Sequence, residues 1–157
     1  MRRLQPKTAA LLVTALAFHV DMLLYYLLVP LLPRYARELH LSQMQVSVLF
    51  GSYAVALLAA TFPVARFTDR HGRRAPMLWG LAGLGATTLI FAFAKSYWLL
   101  LLARALQGVA GSFTWLPGMA LLADHYPSEQ RGKAMATAFA AANLGVLLGP
   151  ALSGFLD

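Results

Sequence analysis

A chain of 157 residues that is 59% hydrophobic and only 12% charged has too little charge to cover a water-facing surface, and a mean hydropathy of +0.63 excludes an ordinary soluble domain in favour of a polytopic membrane protein. The net charge of +7 would suggest nucleic acid in a soluble domain, but no basic patch is interleaved with aromatics on a water-facing element, and the basic residues cluster instead in short loops where they set topology. The absence of cysteine excludes disulfides and thiol chemistry, and the scattered His19, His40, His71 and His125 have neither metal spacing nor a nucleophile beside them, so neither an enzyme nor a cofactor is expected.

Crossing the hydrocarbon takes about 20 mostly apolar residues at 1.5 Å each. Five segments meet that length, roughly 8–32, 43–65, 76–94, 97–121 and 133–156, which predicts an all-α transmembrane helix bundle. The connections PRYARELHLSQ, RFTDRHGRR, KSY and DHYPSEQRGK are short and make consecutive helices antiparallel neighbours. The N-terminus imitates a signal peptide, but its apolar run continues to Leu32 and reads as an uncleaved first span. Arg2, Arg3, Lys7, Arg66, Arg70, Arg73, Arg74, Arg131 and Lys133 fall on one side, against Arg34, Arg37 and Lys95 on the other. The positive-inside rule then predicts a multi-pass protein of the cell (inner) membrane with a cytoplasmic N-terminus and an outer Asp157. The chain stops one residue after an apolar run, as a fragment or an unusually short form would.

In the first span Thr14, Phe18, Asp21 and Tyr25 recur at helical spacing and form one polar and aromatic face. An intramembrane carboxylate serves as a cation partner or proton carrier, or else is tied to a neighbouring helix. His19 lies on a different face, where a structural role is expected, and Pro30 and Pro33 should bend the outer end.

The fourth span places Arg104 and Gln107 in an apolar run, with Arg104, Gly108, Gly111, Trp115 and Gly118 along one stripe. The glycines read as a packing face; the charge does not. Asp21 is 14 residues beyond Lys7, and Arg104 is 9 residues beyond Lys95. Helical rise thus puts both in the outer half, within roughly 10 Å in depth. If the first and fourth spans pack together, the two side chains can share a hydrated cavity, with Arg104 holding Asp21 ionised until something competes.

Between the second and third spans Gly72 supplies a tight turn, and Asp69 is embedded among four arginines although topology requires only the bases. In the last span Gly145, Gly149 and Ser153 form a small-residue face, and Pro150 should interrupt the backbone ladder.

Together these stretches resemble the major facilitator superfamily, and within it the twelve-span drug:proton antiporters. Ala65, Asp69, Arg70, Gly72, Arg73 and Arg74 resemble its loop signature, with alanine where glycine is usual. Arg104, Gln107, Gly108 and Gly111 resemble its fourth-span signature, and Gly145, Gly149, Pro150, Ser153 and Gly154 the antiporter signature. The first span is similar to that of drug antiporters and vesicular amine carriers, an Asp followed by apolar residues and P-x-x-P. The resemblance implies that Asp21 faces the pathway, that Arg104 takes part in proton coupling, and that Asp69 is a conformational latch with Arg73 and Asp124 in its ion-pair network.

The expected function is proton-coupled export of small amphipathic or cationic molecules, with protons, substrate and the lipid bilayer as partners. Phe18, Tyr25, Phe113 and Trp115, with Tyr26 and Tyr53, could supply an aromatic cavity. Residues 1–157 correspond to the first half of such a protein without its sixth helix, and alternating access requires two halves. The alternatives are a truncated, non-transporting membrane protein that needs a separate C-terminal half, and a sugar or metabolite carrier of the same superfamily.

Overall fold

A computed structural model describes residues 5–154 of the chain; Arg2, Arg3 and Asp157 of the charge count lie outside the described residues. In chain order the helices are α1 (Pro6–Leu27), α2 (Leu32–Glu38), α3 (Gln43–His71), α4 (Arg74–Ala92), α5 (Tyr97–His125) and α6 (Ser128–Ser153). Taken with α2 as its continuation, α1 joins α3, α4, α5 and α6 as five segments long and apolar enough to cross a membrane.

Local chemistry sets the ends. Pro6 occupies the first turn of α1, where its missing N–H is harmless. Ser42 caps α3 through a reciprocal box with Gln45: the Gln45 N–H donates to Ser42 Oγ at 3.3 Å, and the Ser42 N–H donates to Gln45 Oε1 at 2.8 Å. Ser96 caps α5. The first span breaks after Leu27, ahead of Pro30, and resumes as α2 with Pro33 in its first turn.

Elsewhere the helices outrun the apolar segments. α3 continues through Arg66, Asp69 and Arg70 to His71, and α5 continues through Asp124 to His125. Charged residues are good helix formers once outside the hydrocarbon, so polarity does not end these helices. Gly72 ends α3, with φ of +77°, a conformation that suits glycine, and α5 ends at Tyr126, extended ahead of Pro127. Two-residue links remain where longer loops are expected. The ladder is also not ended by Pro150: α6 runs through it to Ser153.

α5 is the central helix. Twelve of its residues are buried, and it packs against α1, α3, α4 and α6. Lipid provides no hydrophobic force between helices, so close backbone approach must supply the packing. Two seams do this. Along α6, Ala134, Ala138, Ala142, Gly145, Gly149 and Ser153 form the buried stripe against α1. A Cβ at Gly145 would collide with the His19 carbonyl and the Leu23 N–H, and one at Gly149 would meet the Leu27 N–H at 2.9 Å. Higher residues meet higher residues, so α1 and α6 run parallel. The second seam sets Gly108 and Gly111 of α5 on Tyr53 of α3. The α5 stripe therefore serves two neighbours, because Gly118 instead meets Phe18 and Thr14 of α1. His19 plays the structural part expected of it: its Nδ1 lies 2.9 Å from the Ala141 carbonyl oxygen and ties α1 to α6.

Candidate translocation site

Asp21 is 0% exposed and sits in the last third of α1. Both carboxylate oxygens are buried, with no ion pair among the described residues. The Trp115 indole N–H of α5 is a donor turned towards the carboxylate without closing a short hydrogen bond, and the Tyr53 phenol of α3 lies beside it. One turn below, Phe18 stacks on Trp115 with ring centroids 4.0 Å apart, and Phe139 of α6 lies 5.7 Å from Trp115. An ionised carboxylate left unpaired in such surroundings costs several kcal/mol, so this group calls for a proton or a cation.

Arg104 is also 0% exposed. Its Nη1 donates to Gln107 Oε1 at 2.7 Å, and Gln107 Nε2 donates in turn to Thr88 Oγ1 of α4 at 3.4 Å. The guanidinium carbon lies 4.4 Å from the Tyr25 ring centre and within 6.0 Å of the rings of Phe50, Tyr53 and Phe91. Aromatic faces attract a desolvated cation by roughly 2 kcal/mol each at best. Nε and Nη2 close no short hydrogen bond among the described residues, although the Tyr25 hydroxyl lies towards the guanidinium.

The direct pairing of Asp21 with Arg104 that equal depth suggested is not made: no ion pair connects them among the described residues. Tyr25, one helical turn beyond Asp21 on the same face of α1, takes the place beside the guanidinium that the carboxylate was expected to fill. Tyr25 also packs on Tyr53 at 4.6 Å, and Tyr53 faces both Asp21 and Arg104. The two charges thus occupy one cluster, separated by phenol rings.

Of the expected cavity aromatics, Phe18, Tyr25 and Trp115 join this cluster and Phe113 does not. Two residues along a helix is about 200° of rotation, so Phe113 and Trp115 point to opposite sides of α5. Phe113 packs on Phe67 at 5.8 Å and lines a lipid-side groove of about 470 Å³ with Trp79 and Ile90. Phe139 was not singled out from sequence, because a lone aromatic in an alanine-rich helix carries no local signal.

At the rim that carries the N-terminus, Arg73 bridges two helices. Its Nη1 donates to Asp69 Oδ1 of α3 at 2.8 Å, and its Nε donates to Asp124 Oδ2 of α5 at 3.1 Å. Those two carboxylates hold the guanidinium pKa above its ordinary value. Arg70 and Arg74 are exposed. Among the antiporter-motif residues, Gly145, Gly149 and Ser153 lie in the α1 seam, while Pro150 and Gly154 lie off it.

Comparison with known proteins identifies the family. Residues 14–157 match the family model described as Major Facilitator Superfamily. The chain is 35% identical over 155 residues to a probable vesicular acetylcholine transporter-B of Danio rerio, a match covering 93% of the chain and 31% of that relative. It is 38% identical over 125 residues to the human vesicular acetylcholine transporter, covering 79% of the chain and 23% of the relative. The same identity and length hold for the synaptic vesicular amine transporter of Rattus norvegicus, with 79% and 24% covered. The chain thus spans about a third or less of the length of these curated relatives. With the family model matched over residues 14–157 of a multi-pass bundle, the chain belongs to the Major Facilitator Superfamily of membrane transporters.

Proposed function

We propose that this chain is the N-terminal part of a proton-coupled secondary transporter for small organic cations, with Asp21 as the group that proton and cargo share. The observation that carries the reading is the buried Asp21 carboxylate, which has no cation paired with it among the described residues and sits among Phe18, Trp115 and Tyr53. A positive group would supply the missing charge, and aromatic faces suit a desolvated ammonium. The vesicular acetylcholine and amine transporters among the relatives favour a quaternary ammonium or amine cargo. Drug-efflux export is the finer form of the same reading and rests on the sequence resemblance.

Arg104 discourages a second cation from lodging deeper in the cluster, and Gln107 orients it. The Asp69–Arg73–Asp124 bridge, with Arg70, Gly72 and Arg74 around it, acts as the latch at the rim. Basic residues crowd that rim through Lys7, Arg66, Arg70, Arg73, Arg74, Arg131 and Lys133, which supports a cytoplasmic N-terminus in an inner membrane. Transport itself requires further spans, on the same chain or on a partner, because alternating access rocks two halves about a midplane site.

The test is equilibrium binding of radiolabelled tetraphenylphosphonium to the chain in nanodiscs across pH 5–8, with proton release recorded alongside. The expected result is about one proton released per cation bound at the low end of that range, with both signals lost in Asp21→Asn. Cation binding that survives Asp21→Asn unchanged would overturn the reading.

A further inference from the structure

Asn143 is a polar residue in the middle of α6, and its side chain is exposed. An amide facing hydrocarbon leaves its donors and acceptor unsatisfied, so such a group normally looks towards protein or a water-filled cavity. Its position can be fixed from the α1–α6 seam. Gly145 packs between His19 and Leu23, which puts it level with Asp21. Asn143 is two residues lower, about 3 Å along the axis. It is not part of the seam, which uses Ala142 and Gly145 on either side of it in sequence.

Direction follows from Phe139. That ring reaches across to Trp115 of α5 at 5.7 Å and Phe18 of α1 at 6.1 Å. Asn143 is one turn further on and about 40° round the helix from Phe139. Phe139 is 42% exposed, whereas Phe18 beneath it is fully buried. The three rings therefore form a graded stack whose inner end adjoins Asp21, and helical spacing sets Asn143 one turn beyond its outer ring on α6.

Building on the reading of Asp21 as a cation site, we infer that Phe139 and Asn143 form the outer wall of that site. Phe139 contacts the apolar body of the cation, and the Asn143 amide pairs with a hydroxyl or carbonyl that the cargo carries about one ring width from its positive centre. Asp21 then selects for charge, and Asn143 selects among cations for those with a second polar group. An apolar residue at 143 could not make that distinction.

The experiment uses the full chain in nanodiscs with Trp115 as its only tryptophan. Trp79 and Trp98 are 68% and 75% exposed and are replaced as Trp79→Phe and Trp98→Phe. Trp115 fluorescence is titrated with benzyltrimethylammonium and with the same cation bearing a ring hydroxyl. The background protein should bind the hydroxylated cation roughly 3- to 10-fold tighter, the range one net hydrogen bond supplies. Asn143→Leu should bring that ratio to about one while changing the affinity for the parent cation less than the ratio, and Asn143→Gln should restore part of it. A ratio unchanged in Asn143→Leu overturns the inference and leaves the Asp21 reading intact, as does equal loss of both cations in a variant with normal helicity. Failure of both cations to bind the background protein overturns the Asp21 reading, and the role of Asn143 falls with it.

Discussion

Two aspartate–arginine arrangements in this bundle solve opposite problems. At the rim, Asp69, Arg73 and Asp124 meet in direct ion pairs of 2.8 and 3.1 Å. Inside the bundle, Asp21 and Arg104 belong to one cluster and do not touch. At the rim water screens the charges, so pairing them gains little and costs little. In the interior phenol rings keep the two groups apart and leave the carboxylate without a cation beside it. On the proposed function that spacing is what lets Asp21 take a cation or proton, whereas the rim charges already satisfy one another.

Removing each element tests that contrast. The largest effect is expected for Asp21→Asn, which should weaken organic-cation binding about 100-fold or more while leaving insertion and helicity unchanged; Asp124→Asn, measured in parallel by the same radioligand assay, should stay within about twofold. Gly145→Val tests whether the seam holds Asp21 in place. The added side chain would meet the His19 carbonyl and the Leu23 N–H, so thermal unfolding in detergent should show a loss of about 3 kcal/mol. At Gly154, whose Cβ would find no neighbour nearer than 3.6 Å, alanine should leave the same curve unmoved.

Gly72→Ala sharpens the rim side of the comparison. A side chain at φ of +77° is strained by about 1–3 kcal/mol, and the cost should appear as faster proteolysis at the α3–α4 link. Arg73→Ala is expected to be smaller still, no more than about 1 kcal/mol, because the aspartates it bridges are half-exposed or more. The pH dependence follows from the direction of its shift. A guanidinium held above its ordinary pKa contributes stability that is fully present below that ordinary value and is lost only as pH rises through the folded one. From the Arg73 side, then, the contribution to unfolding free energy should be flat between pH 6 and 9; a slope there that disappears in Arg73→Ala would show that the arginine is not held as described.

The amino-acid sequence determined the number of spans, the helix-only fold and which residues carry charge in the membrane, because a 20-residue apolar run and the cost of a buried charge are local properties. Capping residues and Gly72 marked helix ends that hydropathy alone placed too early at the N-terminal rim. Periodicity also put Phe18, Asp21 and Tyr25 on one face of α1, as found. What only the tertiary structure decided was who stands next to whom. Depth along a helix is set by a 1.5 Å rise and can be counted, but rotation and lateral neighbours depend on which small residues let two backbones approach. That is why equal depth suggested an Asp21–Arg104 pair, while packing of α3 and α5 through Gly108 and Gly111 brought Tyr53, with Tyr25, to the guanidinium instead. For the same reason Phe113 left the cluster, Phe139 joined it, and Asn143 came within about 3 Å in depth of the carboxylate.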